Sequence, residues 1–241
     1  MRYGVFSDIH SNLEAFDAVI EAYRKEKIDR YLCIGDAVGY AANPNECVRK
    51  VKTLAKVTVS GNHDWASVGL SSADYFNPFA KEAVSWTRRN LDEQGRNFLE
   101  GLPLVYKNGD LTLVHGTLDD PGDFNYMTDA IIAARTFELL ETDICFVGHT
   151  HVAGTFIESE NGIRYQEDSN IDIKEGSRYI INAGSVGQPR DGDPRAAYCI
   201  YDSDKKCVRI KRVSYDIQAT RKKIISGGLP EFLGDRLLAG R

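Results

Sequence analysis

The sequence predicts an α/β fold in which two sheets lie between layers of helices, and three observations carry that prediction. The first half alternates short apolar strand segments with amphipathic helical ones. The second half is richer in strands, and the tail from Ile217 turns helical again. Layers of this kind bury the apolar face of each element against the next. A length of 241 residues, 42% hydrophobic and 27% charged, suits an ordinary globular chain with a core of its own. No repeat, low-complexity tract or linker divides it, so one domain is expected over residues 1–241.

The elements follow in order. RYGVFS, Arg2 to Ser7, reads as a short buried strand. Asn12 to Lys27 reads as a helix, because Leu13, Phe16, Ile20 and Tyr23 fall on one face. Asp29 to Ile34 is a second strand. Pro44 to Leu54 is a helix with proline in its first turn. Lys56 to Ser60, KVTVS, is a β-branched third strand. Residues 78–100 are helical, starting at Pro78, with a break expected near Gly95. Leu104 to Val114 carries strand-like flanks around Asn108-Gly109, a hairpin signal. A helix near Asp129 to Leu140 leads into the strand DICFV, Asp143 to Val147. Thr155–Ser159, Ile163–Gln166, Arg178–Ile181, Ala196–Tyr201 and Cys207–Tyr215 are further strands, the first two joined through Asn161-Gly162. The helical tail is interrupted at Gly227 to Pro230.

Composition excludes several classes of function. Thirty Lys and Arg against thirty-five Asp and Glu leave a formal charge of −5, which disfavours a dedicated nucleic-acid binder. It leaves open an enzyme whose positive charge comes from bound metal. The five cysteines, Cys33, Cys47, Cys145, Cys199 and Cys207, form no CxxC pair, and three lie inside apolar strands. They read as small buried hydrophobes in a reducing, cytoplasmic setting. The start MRYGVFSD reaches an aspartate too early for a signal peptide, and no apolar run approaches a membrane span.

The five histidines carry the functional signal. Each follows a strand: His10 in SDIH, His63 in GNHD, His115 in VHG, and His149 and His151 together in GHTH. Asp36, in GDAVG, also follows one. Ligand sites of open α/β sheets gather beyond the carboxyl ends of strands, so these residues are expected on one rim. The spacing of Asp8 and His10 puts both on one face of an extended strand end. His149 and His151 share that spacing, though a turn at Gly148 could aim them at different ions. Gly35, Gly61, Gly116 and Gly148 would allow sharp turns and close approach beside the ligands. Imidazole and carboxylate without thiolate suit Mn, Fe, Zn, Co or Ni with open positions, not a closed structural zinc site. Taken singly, each motif also reads as a turn or a cap; the ordered set, which uses every histidine, does not.

The order Asp8-x-His10, Gly35-Asp36-x-x-Gly39, Gly61-Asn62-His63-Asp64, His115-Gly116 and Gly148-His149-Thr150-His151 resembles the calcineurin-like metallophosphoesterase superfamily. GDAVGYAANPNEC and NAGSVGQPRDGDPRAAY are similar to segments of its small bacterial and archaeal phosphodiesterase-like branch. The resemblance implies a four-layer α/β/β/α sandwich, two mixed sheets flanked by helices, with a binuclear metal centre. One divalent ion would be held by Asp8, His10, Asp36 and His151, and the second by Asp36, Asn62, His115 and His149, with Asp36 bridging. Manganese is the first expectation for both. His63 would stay free beside the scissile phosphate, and Asp64 would orient it.

Such a centre implies in-line attack on phosphorus by a metal-bridging hydroxide, without a covalent phosphoenzyme. His63, as imidazolium, would stabilise the transition state or protonate the leaving oxygen. Arg190, Arg195 and Tyr40 are candidate substrate contacts, with Asn43, Trp65 and Phe124 as further candidates for the pocket wall. The expected activity is phosphodiester hydrolysis of a small ester or nucleotide. The alternatives are a phosphomonoesterase or dinucleoside-polyphosphate hydrolase, and a scaffold of the same fold without catalysis. The sequence sets neither the substrate, the metal nor the oligomeric state.

Overall fold

The computed structural model describes residues 1–241. The strand β1 (Arg2–Phe6) leads through a tight loop into α1 (Leu13–Arg24). The Asn12 side chain caps that helix by accepting from Ala15 N at 3.1 Å, and Phe16, Val19 and Tyr23 are buried. Next come β2 (Arg30–Cys33), α2 (Pro44–Leu54) and the two-residue β3 (Val57–Thr58). A short helix α3 (Asn62–Val68) then begins within GNHD, so that motif is a helix start.

The helical region after it is two helices, α4 (Pro78–Asn90) and α5 (Glu93–Glu100). The break falls at Leu91-Asp92 and not at Gly95. Leu91 is extended, and Asp92 starts a new helix by accepting from Gly95 N at 2.7 Å. Gly95 is thus inside the first turn of α5, and the capping carboxylate sets the boundary. The hairpin β4 (Val105–Lys107) and β5 (Thr112–Val114) forms as expected. Its turn is closed by the Asn108 side chain, which accepts from Asp110 N and Leu111 N.

After α6 (Ala130–Leu139), capped by Asp129, run β6 (Ile144–Val147), β7 (Gly154–Ser159), β8 (Gly162–Gln166) and β9 (Asn170–Asp172). Then follow β10 (Arg178–Asn182), β11 (Ala196–Asp202), β12 (Cys207–Val213), α7 (Ile217–Ser226) and α8 (Glu231–Ala239). Strand β9 was not expected: it is three residues long, mostly exposed, and exists by pairing with β12.

The strands form two six-stranded mixed sheets, ordered β3-β2-β1-β11-β12-β9 and β4-β5-β6-β10-β7-β8. Val5, Leu32, Ile34, Leu113, Phe146 and Ile181 fill the space between them. Helices α1, α2 and α5 cover the outer face of the first sheet, and α6 covers the second, giving an α/β/β/α sandwich. Helices α4, α7 and α8 form a further cluster around Tyr40 and Ala41. Cys33, Cys47, Cys145 and Cys199 are buried free thiols. Strands β1, β2 and β3 run parallel, as do β5, β6 and β10. Their carboxyl ends therefore bring the histidine-bearing loops of both sheets to one rim. No helix is long and apolar enough to cross a membrane.

Candidate metal centre

The rim loops are bonded to one another before any side chain is considered. Asp8 N donates to Gly35 O at 3.1 Å, His10 N to Asp36 O at 3.0 Å, and Gly148 N to His115 O at 3.0 Å. The backbone at Asp8, His10, Asp36, His149 and His151 is left-handed, with φ between 50° and 67°. Asp8 and His10 thus converge by a tight turn, not from an extended strand end, although the same two residues meet. Of the four glycines, Gly35 has positive φ. Gly61 and Gly148 instead admit close approach: a Cβ there would lie 2.0 Å from Asp36 Oδ1 or 2.1 Å from Ser7 Oγ.

Two triads with no shared residue result, Asp8–His10–His151 and Asp36–His115–His149, each with its ligand atoms mutually within 4.8 Å. The turn at Gly148 does send His149 and His151 to different triads. Asp36 Oδ2 stands 3.3 Å from His115 Nε2 and 3.5 Å from His10 Nε2, between the two groups. His63 forms a third, overlapping triad with His10 and Asp36.

The donor set fits divalent cations by its own chemistry. Nδ1 of His10, His115 and His151 meets the carbonyl oxygens of Val38, Ile34 and Gln188 at 3.1, 2.7 and 2.6 Å. A proton donated there leaves each Nε2 lone pair facing the centre, the arrangement a metal-ligating imidazole needs. His10 Nε2 and His151 Nε2 are only 3.0 Å apart. Asp36 Oδ2, Asn62 Oδ1 and His115 Nε2 are buried without a hydrogen-bond partner. Buried polar atoms are seldom left so, and Asp36 Oδ2 and His115 Nε2 lie 3.3 Å apart.

Electrostatics agree. Burial works to raise the carboxyls of Asp8 and Asp36, but the imidazoles, His151 and His115 foremost, overcome it and hold both below the usual carboxylate range. Burial pushes His149 down to about 3 and His151 to about 4. His115 goes the other way, to about 9: burial opposes its charge, but Asp36 beside it prevails.

His63 and Asp64 differ from expectation. Burial holds the His63 imidazole well below its ordinary range, which favours the neutral ring over the expected imidazolium. It packs between Tyr40 and Phe76, at centroid distances of 4.5 and 4.9 Å, and its Nδ1 has no partner. Asp64 does not hydrogen-bond it. Both Asp64 oxygens are taken by backbone, from Val38 N at 3.2 Å and Gly61 N at 3.1 Å. Burial, then the charge of Asp36, raises the Asp64 carboxyl to about 7. Asp64 ties the GNHD turn to the GDAVG loop; His63 is placed instead by its backbone N–H, which donates to Asp36 Oδ1 at 2.9 Å.

A cleft of about 390 Å³ opens beside this centre, with Asn62, His63 and His149 in its lining. Tyr40 and Phe124 line it too, while Trp65 packs edge-on against Phe124. Arg190 lies behind Tyr40, donating to its hydroxyl at 3.1 Å and to Gln188 Oε1 at 2.9 Å, and is not in the lining. Arg195 is removed altogether: it forks onto Asp193 in solvent. Asn43 accepts from Lys223, away from the cleft. Tyr75, Phe76 and Tyr126 were missed, because a lone aromatic in a loop has no spacing to mark it; Tyr126 stacks on His149 at 4.0 Å.

A two-sheet sandwich whose parallel strand ends gather histidines and aspartates into groups able to hold cations is the setting of a metal-dependent hydrolase. Residues 1–206 match the calcineurin-like phosphoesterase superfamily domain. A metallophosphoesterase from Sphaerobacter thermophilus is 42% identical, with TM-score 0.88 over 100% of this chain and 99% of that one. An uncharacterized protein of Methanocaldococcus jannaschii, MJ0912, is 40% identical over 98% of this chain and 97% of its own length. The hypothetical protein PH1004 of Pyrococcus horikoshii OT3, 19% identical, shares the fold at TM-score 0.80 over 100% of this chain and 98% of its own. The chain belongs to the calcineurin-like phosphoesterase superfamily and is a hydrolase of phosphoester bonds.

Proposed function

We propose that the chain is a phosphodiesterase with two divalent transition-metal sites, manganese being the first candidate among Mn, Fe, Zn, Co and Ni. The observation that carries this reading is the pair of disjoint triads, with Asp36 of the second reaching within 3.5 Å of His10 in the first. Asp8, His10, Asp36 and His151 would hold one ion, and Asp36, Asn62, His115 and His149 the other. When bound, the ions supply Lewis-acid charge for the phosphoryl oxygens and lower the pKa of attacking water. The carbonyl-anchored imidazoles keep the ligand atoms aimed, so nothing reorganises when substrate arrives. His63 stands in the cleft lining, where a ring N–H can donate to a phosphoryl or leaving oxygen. The lining contains no Lys or Arg and one carboxylate, Asp123. A diester's single negative charge suits that wall better than a monoester dianion or a polyphosphate chain.

The test is elemental analysis of protein purified without chelator, then relative kcat/KM on bis-p-nitrophenyl phosphate, p-nitrophenyl phosphate and dinucleoside polyphosphates with each metal restored. Diester preference with two ions per chain is expected. A monoester or polyphosphate preference refutes the diester reading, and inactivity on the whole panel with metal bound returns the scaffold.

A further inference from the structure

The wall of the cleft has a chemistry that the metal-ligand motifs do not require. Phe76 and Phe124 are occupied by packing, against His63 and Trp65. Two lining tyrosines, Tyr126 and Tyr75, instead keep ring surface exposed. Tyr126 lies flat on the His149 ring, with 20° between the planes, and remains 49% exposed. Tyr75, on the segment between α3 and α4, is 97% exposed. Large rings left in solvent beside a reaction centre point to a flat ligand, because aromatic faces stack on planar groups. The lining's lack of Lys and Arg, with Asp123 as its one charged side chain, adds a second constraint. Further phosphates would need guanidinium or ammonium partners that this wall does not offer.

We propose that the cleft is a base-binding subsite for a nucleoside monophosphate moiety. The phosphorus sits at the histidine centre, the base stacks on Tyr126 and Tyr75, and no place is built for a second phosphate. This rests on the phosphodiesterase reading and deepens it to a substrate class, a nucleotide diester. A sugar phosphate would fill the same volume without using either exposed ring.

The experiment is calorimetric titration of the metal-loaded protein, metal in excess, with AMP, ribose 5-phosphate and ADP. AMP is expected to bind at least about tenfold tighter than ribose 5-phosphate, the size of one good base–aromatic stack. ADP is expected to bind no tighter than AMP. Tyr75→Ala and Tyr126→Leu should shrink the AMP advantage more than they weaken ribose 5-phosphate, with metal content followed by elemental analysis. Equal wild-type affinity for AMP and ribose 5-phosphate overturns the base subsite, and ADP binding about tenfold tighter than AMP overturns the single-phosphate assignment. Hydrolysis of bis-p-nitrophenyl phosphate is scored separately. Protein that prefers AMP yet leaves this diester intact keeps the subsite and loses the phosphodiesterase reading; hydrolysis without AMP preference does the reverse.

Discussion

Adding one methyl group at Gly61 tests the centre more sharply than removing a ligand. A Cβ on Gly61 would lie 2.0 Å from Asp36 Oδ1, 2.6 Å from its Cγ and 2.5 Å from its backbone nitrogen. Non-bonded carbon atoms prefer about 3.5–4.0 Å, so each contact is far inside the attractive range. The carboxylate cannot simply swing away. It is buried, Oδ1 accepts from His63 N at 2.9 Å, and its backbone is fixed by the bond from His10 N to Asp36 O. Forcing a methyl into such a site costs about 1–3 kcal/mol. At about 2–4 °C per kcal/mol for a chain of this size, Gly61→Ala should melt roughly 2–12 °C below wild type. The displaced carboxylate is the one proposed to bridge, so the variant should also hold fewer than two ions. Gly109→Ala is the control, since nothing lies within 4 Å of a Cβ there. Scanning calorimetry and elemental analysis on the three proteins read both effects. A Gly61→Ala protein with two ions and the wild-type melting temperature would refute the placement of Asp36.

Three further outcomes are expected. His63→Ala should cut kcat roughly 10²–10⁴-fold while metal content stays at wild type; loss of an ion in that variant would make His63 a ligand, as its overlapping triad with His10 and Asp36 permits. Cation binding to metal-free protein should release about one proton at pH 7.5. The sign follows from His115: its pKa is raised to about 9, so the ring carries a proton below that pH and must lose it to ligate, whereas His149 and His151, at about 3 and about 4, carry none. Titration calorimetry in two buffers of different ionisation enthalpy counts the protons, and a count of zero at pH 7.5 refutes the protonated state assigned to His115 in the metal-free protein. Arg195→Ala should leave diester kcat/KM unchanged, because its fork is spent on Asp193 in solvent, while Arg190→Ala should raise KM several-fold by freeing Tyr40; the reverse ranking in steady-state kinetics would contradict the geometry.

The sequence made the layers legible because apolar periodicity and capping residues agree over most elements. Pro44, Pro78 and Asp129 mark helix starts at the residues where the helices begin. It was weakest where a local signal competed with a stronger one. Gly95 looked like a breaker, but the Asp92 cap two residues into the gap between helices decided the boundary. The rim residues were readable because each follows a strand. Their partners were not: whether Asp64 meets His63 or two backbone amides depends on how residues 35–39 fold back over residues 61–64. Arg190 was found in the right loop, but only packing shows that it stands behind Tyr40.

What sequence spacing could not disclose is the backbone that makes the rim. Of the eleven non-glycine residues at positive φ, Asp8, His10, Asp36, His149 and His151 are candidate ligands, and Tyr40 and Phe124 line the cleft. Left-handed backbone at a non-glycine residue costs on the order of 1–3 kcal/mol. Five such ligand residues therefore represent at least about 5 kcal/mol, comparable with the whole net stability of a typical domain. The loops sustain the strain by bonding across one another, through Asp8 N to Gly35 O, His10 N to Asp36 O, and His149 N to Asp8. A scaffold free of catalysis would gain stability by relaxing any one of these turns. Strain concentrated on the ligand positions, with Asp36 Oδ2, Asn62 Oδ1 and His115 Nε2 buried and unpartnered, is what a centre built around cations would show.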